Sequence, residues 1–229
     1  MDAKAILDLF LESGQELADK GKEIADEKLG VPKDSKERES MLSGAGKGAL
    51  AAGALAMLLG TGAGRKLTGT TLKLGSLAAI GGIAYKAYGK WQTQQSGAAI
   101  EPGEPANKLS GNAMEKRSIA LLKAMIASAK ADGHIDDSER AKIKGQIDKL
   151  GLDSSAILFL QDELEKPLDV NSIAAGADSP EAAAEIYLVS RMVVDLDNEQ
   201  ERTYLKELAE ALSLAPELVA QLESDIASS

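Results

Sequence analysis

The stretch "LKLGSLAAIGGIAYKAYGKW", Leu72 to Trp91, decides the fold, because the same residues describe either a lipid-facing helix or a helix buried in protein. Gly75, Ala78, Ala79 and Gly82 are interleaved with Leu74, Leu77, Ile80 and Ile83. Glycine costs about 1 kcal/mol per helical position relative to alanine in water, so such a helix needs close packing or lipid. Lys73 and Lys86 have stems long enough to snorkel, and Tyr85, Tyr88 and Trp91 cluster where an interfacial aromatic belt would lie.

Immediately upstream, "GKGALAAGALAMLLGTGAGRK", Gly46 to Lys66, carries no charge between Lys47 and Arg65. Its uncharged run from Gly48 to Gly64 is 17 residues long, and as a helix it covers roughly 25 Å of a bilayer core of about 30 Å. Gly44, Gly48, Ala52, Ala56, Gly60 and Gly64 recur at every fourth position, laying small side chains along one helix face. The expectation is a membrane hairpin of two helices over 44–91, with both chain ends on one side, the lipid bilayer as partner, and homo-oligomers formed through Gly48, Ala52, Ala56 and Gly60. The alternative is a glycine-packed hairpin that lies on a membrane or is buried in protein. Basic residues do not orient the hairpin: Arg65, Lys66 and Lys73 lie at the turn, and Lys47, Lys86 and Lys90 at the outer ends.

Charge is divided along the chain in the same way. Residues 1–43 hold seven basic and eleven acidic side chains, residues 44–100 six and none, and residues 101–229 thirteen and twenty-five. A basic, acid-free, apolar middle between acidic flanks points to lipid headgroups. The chain has no cysteine, which excludes disulfides, iron-sulfur clusters and thiolate zinc sites. The first thirty residues lack the pattern of a secretory signal, so the N-terminus is expected to begin in the cytoplasm.

Residues 1–43 read as an N-terminal amphipathic helical region in which Ile6, Leu9 and Phe10 share a face, followed by a break at "LGVPKDSKERES". That face either packs within the molecule or docks a partner. Residues 92–114, which include "QTQQSGAAIEPGEPANKLSGN", read as a flexible linker. From 115 to 229 the spacing is helical throughout: Ile119, Leu122, Ile126 and Ala129; Ile143, Ile147 and Leu150; Ile157, Leu158, Leu160 and Leu164; Ile186, Val189 and Val193; Leu205, Leu208 and Leu212; Leu218, Leu222 and Ile226. No strand-like alternation competes, so the expected fold class is all-α, a glycine-rich helical hairpin followed by a helical bundle.

Two helix-to-helix corners of this bundle look alike, "AKADGHIDDSERAKI" and "VVDLDNEQERTYL". Asp136 with Glu139, and Asn198 with Glu201, fit capping boxes. The functional reading is a hard-cation site in which Asp132, Asp136, Asp195 and Asp197, with Glu199 nearby, converge on Ca²⁺, Mg²⁺ or Mn²⁺. Neither corner is an EF-hand loop, since the twelfth position is Ile143 in one and Lys206 in the other. His134 is the chain's single histidine, too few for a typical zinc site. There is no G-x-S-x-G elbow, no phosphate loop, and no basic patch on the large acidic domain to meet nucleic acid.

The combination of "LGVPKDSKERESMLSGAGKGALAAGALAMLLGTGAGRKL", "GSLAAIGGIAYKAYGKWQ" and "LLKAMIASAKADGHIDDSERAKI" resembles the YebE-like family of bacterial inner-membrane proteins of unknown function, and the C-terminal part is similar to the tellurite-resistance TerB-like domain. The resemblance implies a bacterial inner-membrane protein with a TerB-like all-helical domain, expected on the cytoplasmic side. TerB-like domains associate acidic corner residues with divalent metal; Asp132, Asp136, Asp195 and Asp197 match those positions, and His134 stands where many such sequences carry an acid. The expected function is a non-enzymatic, membrane-tethered binding or sensor module with an unidentified protein partner. A structural membrane oligomer and a metal-dependent hydrolase are the alternatives.

Overall fold

The computed structural model describes residues 1–11, 76–94, 103–131, 141, 143–145, 147–148, 151–194, 196 and 198–227. Every regular element among them is helical, as the apolar spacing requires. A helix α1 covers 3–11, α2 Leu77–Gln94, α3 Gly111–Ala129, α4 Ser154–Glu165, α5 Val170–Ala174, α6 Pro180–Val193, α7 Glu199–Ala211 and α8 Pro216–Ala227, and a 3-10 turn at Ala106–Lys108 lies between α2 and α3.

Short polar residues start most of the later helices by capping otherwise orphaned backbone N–H groups. Asp153 accepts from the Ala156 N–H at 2.9 Å, Asp169 from those of Asn171 and Ser172 at 3.0 and 3.3 Å, and Ser179 from that of Ala182 at 3.1 Å, with Pro180 opening the first turn of α6. The expected cap at Asn198 is present: its side chain accepts from the N–H groups of Gln200 and Glu201 at 2.9 and 3.4 Å.

The centre is the pair α3 and α6, whose Leu121, Leu122, Ala124, Ile186, Leu188 and Val189 have no exposed surface. Around it, α4 and α5 pack on α3, α7 crosses α5 and α6, and α2 packs on both α6 and α8. One continuous hydrophobic cluster runs from Ala3 to Ile226. Ile6 and Phe10 are buried in it, so their face of α1 packs at home, and the Ala3 N–H donates to the Glu115 carboxylate at the start of α3.

This packing corrects the membrane reading. Leu77, Ile80, Ala84, Ala87 and Tyr88 of α2 are buried against protein, and Lys90 pairs with Asp225 of α8 at 2.7 Å. Among the described residues no helix is long and apolar enough to cross a membrane. The transmembrane helix and inner-membrane location expected from this segment are therefore replaced by intramolecular packing, in which Gly81, Ala84 and Ala87 are buried while Ala78 and Gly82 are exposed. The aromatic belt separates accordingly: Tyr88 is buried with its ring 5.5 Å from that of Trp91, while Tyr85 is exposed beneath the Lys108 ammonium. The upstream run 44–75, with Gly48, Ala52, Ala56 and Gly60, lies outside the described residues.

Residues 103–110, expected within a linker, form a strap laid on α6 and α2. Ala106 has no exposed surface. The close approach explains two glycines. A Cβ at Gly81 would stand 3.3 Å from the Pro105 side chain and 3.2 Å from Glu185 Oε1, and one at Gly103 would stand 2.6 Å from Ser179 Cβ.

Candidate functional site

Two places concentrate chemistry. The first is a cleft of about 560 Å³ where the start of α5 faces α7. Its apolar lining is Ala131, Leu168, Val170 and Tyr204, and its carboxylates are Asp169, Glu199 and Glu207; no lysine or arginine is among its described lining residues. The repeat of α7 produces this wall, since residues 199, 203 and 207 fall on one helix face. Tyr204 fills the floor: its ring is buried and its hydroxyl lies 3.3 Å from Ser128 Oγ of α3. Burial raises the Tyr204 phenol above its ordinary value. All three acids are exposed; Asp169 is engaged through Oδ1 as the α5 cap, a role that Glu199 and Glu207 do not share.

The four sequence-derived metal ligands, Asp132, Asp136, Asp195 and Asp197, all lie outside the described residues, as does His134. Among the described residues no group of three or more His, Cys, Asp or Glu side chains is arranged to hold a metal. The residues bordering the two corners are described, however. Ala131, which precedes Asp132, and Glu199, which follows Asp197 by two positions, line the same cleft.

The second place is a buried acid cluster that the sequence reading missed. Glu181 and Glu185 sit one turn apart on α6 with no exposed surface, and Arg117 of α3 is 3 % exposed. Arg117 donates from Nη1 to Glu185 Oε2 and from Nη2 to Asp178 Oδ1, both at 2.5 Å. The strap supplies the other partners: the Ala106 N–H donates to Glu185 Oε1 at 2.7 Å, and the Gly103 N–H donates to Glu181 Oε2. Glu181 Oε1 has no partner among the described residues. Burial raises both carboxyl groups above the ordinary glutamate value; the bonds from Gly103 and Ala106 and the Arg117 charge oppose that rise. The available signal was the spacing of two glutamates one turn apart inside "PEAAAEIYLVSRM", on a face otherwise built of alanine and leucine-like residues.

A family model described as "Protein of unknown function (DUF533)" matches residues 44–226. The chain is also 32 % identical over 113 residues to an "Uncharacterized protein in ampR 5'region" of Yersinia enterocolitica, a match that covers 49 % of this chain and 81 % of that protein. No solved structure matches significantly.

Proposed function

We propose that this chain, which belongs to the DUF533 family of proteins of unknown function, is a non-enzymatic helical binding module whose acidic cleft takes a divalent cation, Ca²⁺, Mg²⁺ or Mn²⁺. Asp132, Asp136, Asp195 and Asp197 are the ligands in this reading. One observation carries it: Ala131, which directly precedes the first acidic corner, and Glu199, two residues beyond Asp197 of the second, line one cleft. An oxygen-rich wall with no competing lysine or arginine among its described lining residues suits hard cations. The resemblance of "LLKAMIASAKADGHIDDSERAKI" to TerB-like domains supports the same assignment, and a TerB-like C-terminal domain is proposed with it.

The test uses the full chain, because α2 shares its core with the C-terminal helices. Melting temperature is measured with and without each ion, for wild type and for Asp→Asn changes at the four positions. A cation that binds only the native state adds about 2.7 kcal/mol at one hundred times its Kd. The expected result is a wild-type rise that the Asn variants lose, with their metal-free stability retained, because Asn caps about as well as Asp. No rise with any of the three ions overturns the reading.

A further inference from the structure

The strap is fastened to α6 mainly by acids. Its inward contribution is backbone N–H groups, from Gly103 and Ala106, and its own charged residues Glu104 and Lys108 are exposed. The groups facing the fastening are Arg117 from α3, Tyr88 from α2, Asp178 ahead of α6, and Glu181 and Glu185 on α6 itself. One guanidinium therefore serves three carboxyl groups. It bonds to Glu185 and to Asp178, and Asp178 is 60 % exposed and solvated besides. Among the described residues Glu181 has no hydrogen bond to a cation and its Oε1 has no partner, and the residue has no exposed surface. There is no slack to relieve it, since Gly103 already lies against Ser179 so closely that a Cβ would not fit.

We propose that the strap 103–110 is latched by a proton held on Glu181 Oε1, and that loss of this proton to solvent loosens the strap and the α2 surface beneath it. With the proton in place, Oε2 accepts the Gly103 N–H and the cluster holds one buried negative charge, on Glu185, matched by Arg117. Without it, a second buried negative charge stands one turn away from the first and has no cation of its own. Burial, the largest influence on Glu181, raises its carboxyl in the direction this requires. A raised native value means that stability from this group is complete below the ordinary glutamate value and is lost as pH rises through the native one.

Hydrogen exchange of the Gly103 and Ala106 amides, corrected for intrinsic rate and referred to amides of α3, reads the latch directly. Between about pH 5 and pH 9, above the ordinary glutamate value of about 4.3, wild-type strap protection is expected to fall by up to about tenfold per pH unit as long as Glu181 keeps its proton in the closed state, and to level off once it ionises there. Glu181→Gln, which imitates the protonated acid, is expected to hold the strap closed at every pH. Strap protection in wild type that does not change with pH, or an unchanged pH dependence in Glu181→Gln, overturns the proposal. Should that variant fail to fold, carboxyl carbon resonances of the wild-type protein decide: a Glu181 midpoint that is raised and marks the pH at which the fall in strap protection levels off supports the latch, and a midpoint at the ordinary value, or one unrelated to that levelling, refutes it.

Discussion

Gly81 of α2 faces Asn107 of the strap so closely that a Cβ at residue 81 would stand 2.9 Å from Asn107 Oδ1, whereas the adjacent Gly82 would place its Cβ in open space. Two neighbouring glycines thus have opposite structural standing. Gly82→Ala is expected to stabilise the protein by about 0.5–1 kcal/mol through helix propensity. Gly103→Ala, which meets Ser179, is expected to destabilise it by about 1–3 kcal/mol. Gly81→Ala falls between them, because its neighbours must give way while the helix gains. Urea midpoints of the three variants check the order, and identical behaviour of Gly81→Ala and Gly82→Ala would contradict the contact between α2 and the strap.

The placement of α2 sets a second expectation. A fragment beginning at residue 110 would lack Ile80, Ala84, Ala87 and Tyr88, which pack on α6 and α8. Single core truncations such as Ile80→Ala cost about 2–5 kcal/mol, so loss of the whole helix is expected to abolish cooperative melting in the fragment. A fragment that melts as sharply and at the same temperature as the full chain would show α2 to be dispensable.

Arg117→Met is expected to destabilise by about 3–5 kcal/mol, because it leaves the Glu185 carboxylate buried without its cation. Adding Glu185→Gln is expected to restore a large part of that loss. The exposed partner behaves differently: Asp178→Ala is expected to change stability by less than about 1 kcal/mol. A double-mutant cycle by chemical denaturation separates these contributions.

Alkaline titration gives a fourth check. Burial raises the phenols of Tyr88, Tyr187 and Tyr204, and in Tyr187 the hydrogen bond donated to Glu223 Oε1 at 2.8 Å adds to the effect. An acid raised in the native state stabilises it fully below the unfolded value, about 10 for tyrosine, and that stability is lost as pH rises toward the native value. Phenolate absorbance of these residues is therefore expected to appear together with loss of helical circular dichroism. Complete ionisation of all four tyrosines in a still helical protein would contradict their burial.

Much of the helical layout was legible because apolar residues recur at the helical period wherever a helix buries one face. Leu122, Ile126, Ile186, Val189, Leu205, Leu208, Leu218 and Leu222 are all buried as that spacing requires. Leu158 is not; it is 65 % exposed although it belongs to an apolar run, because α4 packs through Ala156, Leu160 and Leu164 instead. The five residues of α5 carry too little periodicity to be read at all. The misreading of α2 has a different origin. Small residues permit close approach of helices in lipid and in protein alike, and no local pattern names the partner that approaches. The capping role of Asn198 was visible in sequence, since a cap bonds two or three residues ahead; the acid cluster was hidden because Arg117 and Glu185 are 68 positions apart.

The contact between Lys90 and Asp225 joins positions 135 residues apart, and it bears on how the molecule comes into being. A ribosome adds about 5–20 residues each second, so α2 emerges on the order of ten seconds before α8 exists. Throughout that interval its apolar side, Leu77, Ile80, Ala84 and Tyr88, lacks the helical partner on which it will later rest. The nascent chain thus passes through a stage in which its most glycine-rich described helix is either unformed or sheltered by something other than its final neighbours, and α8, made much later, completes the seating of α2.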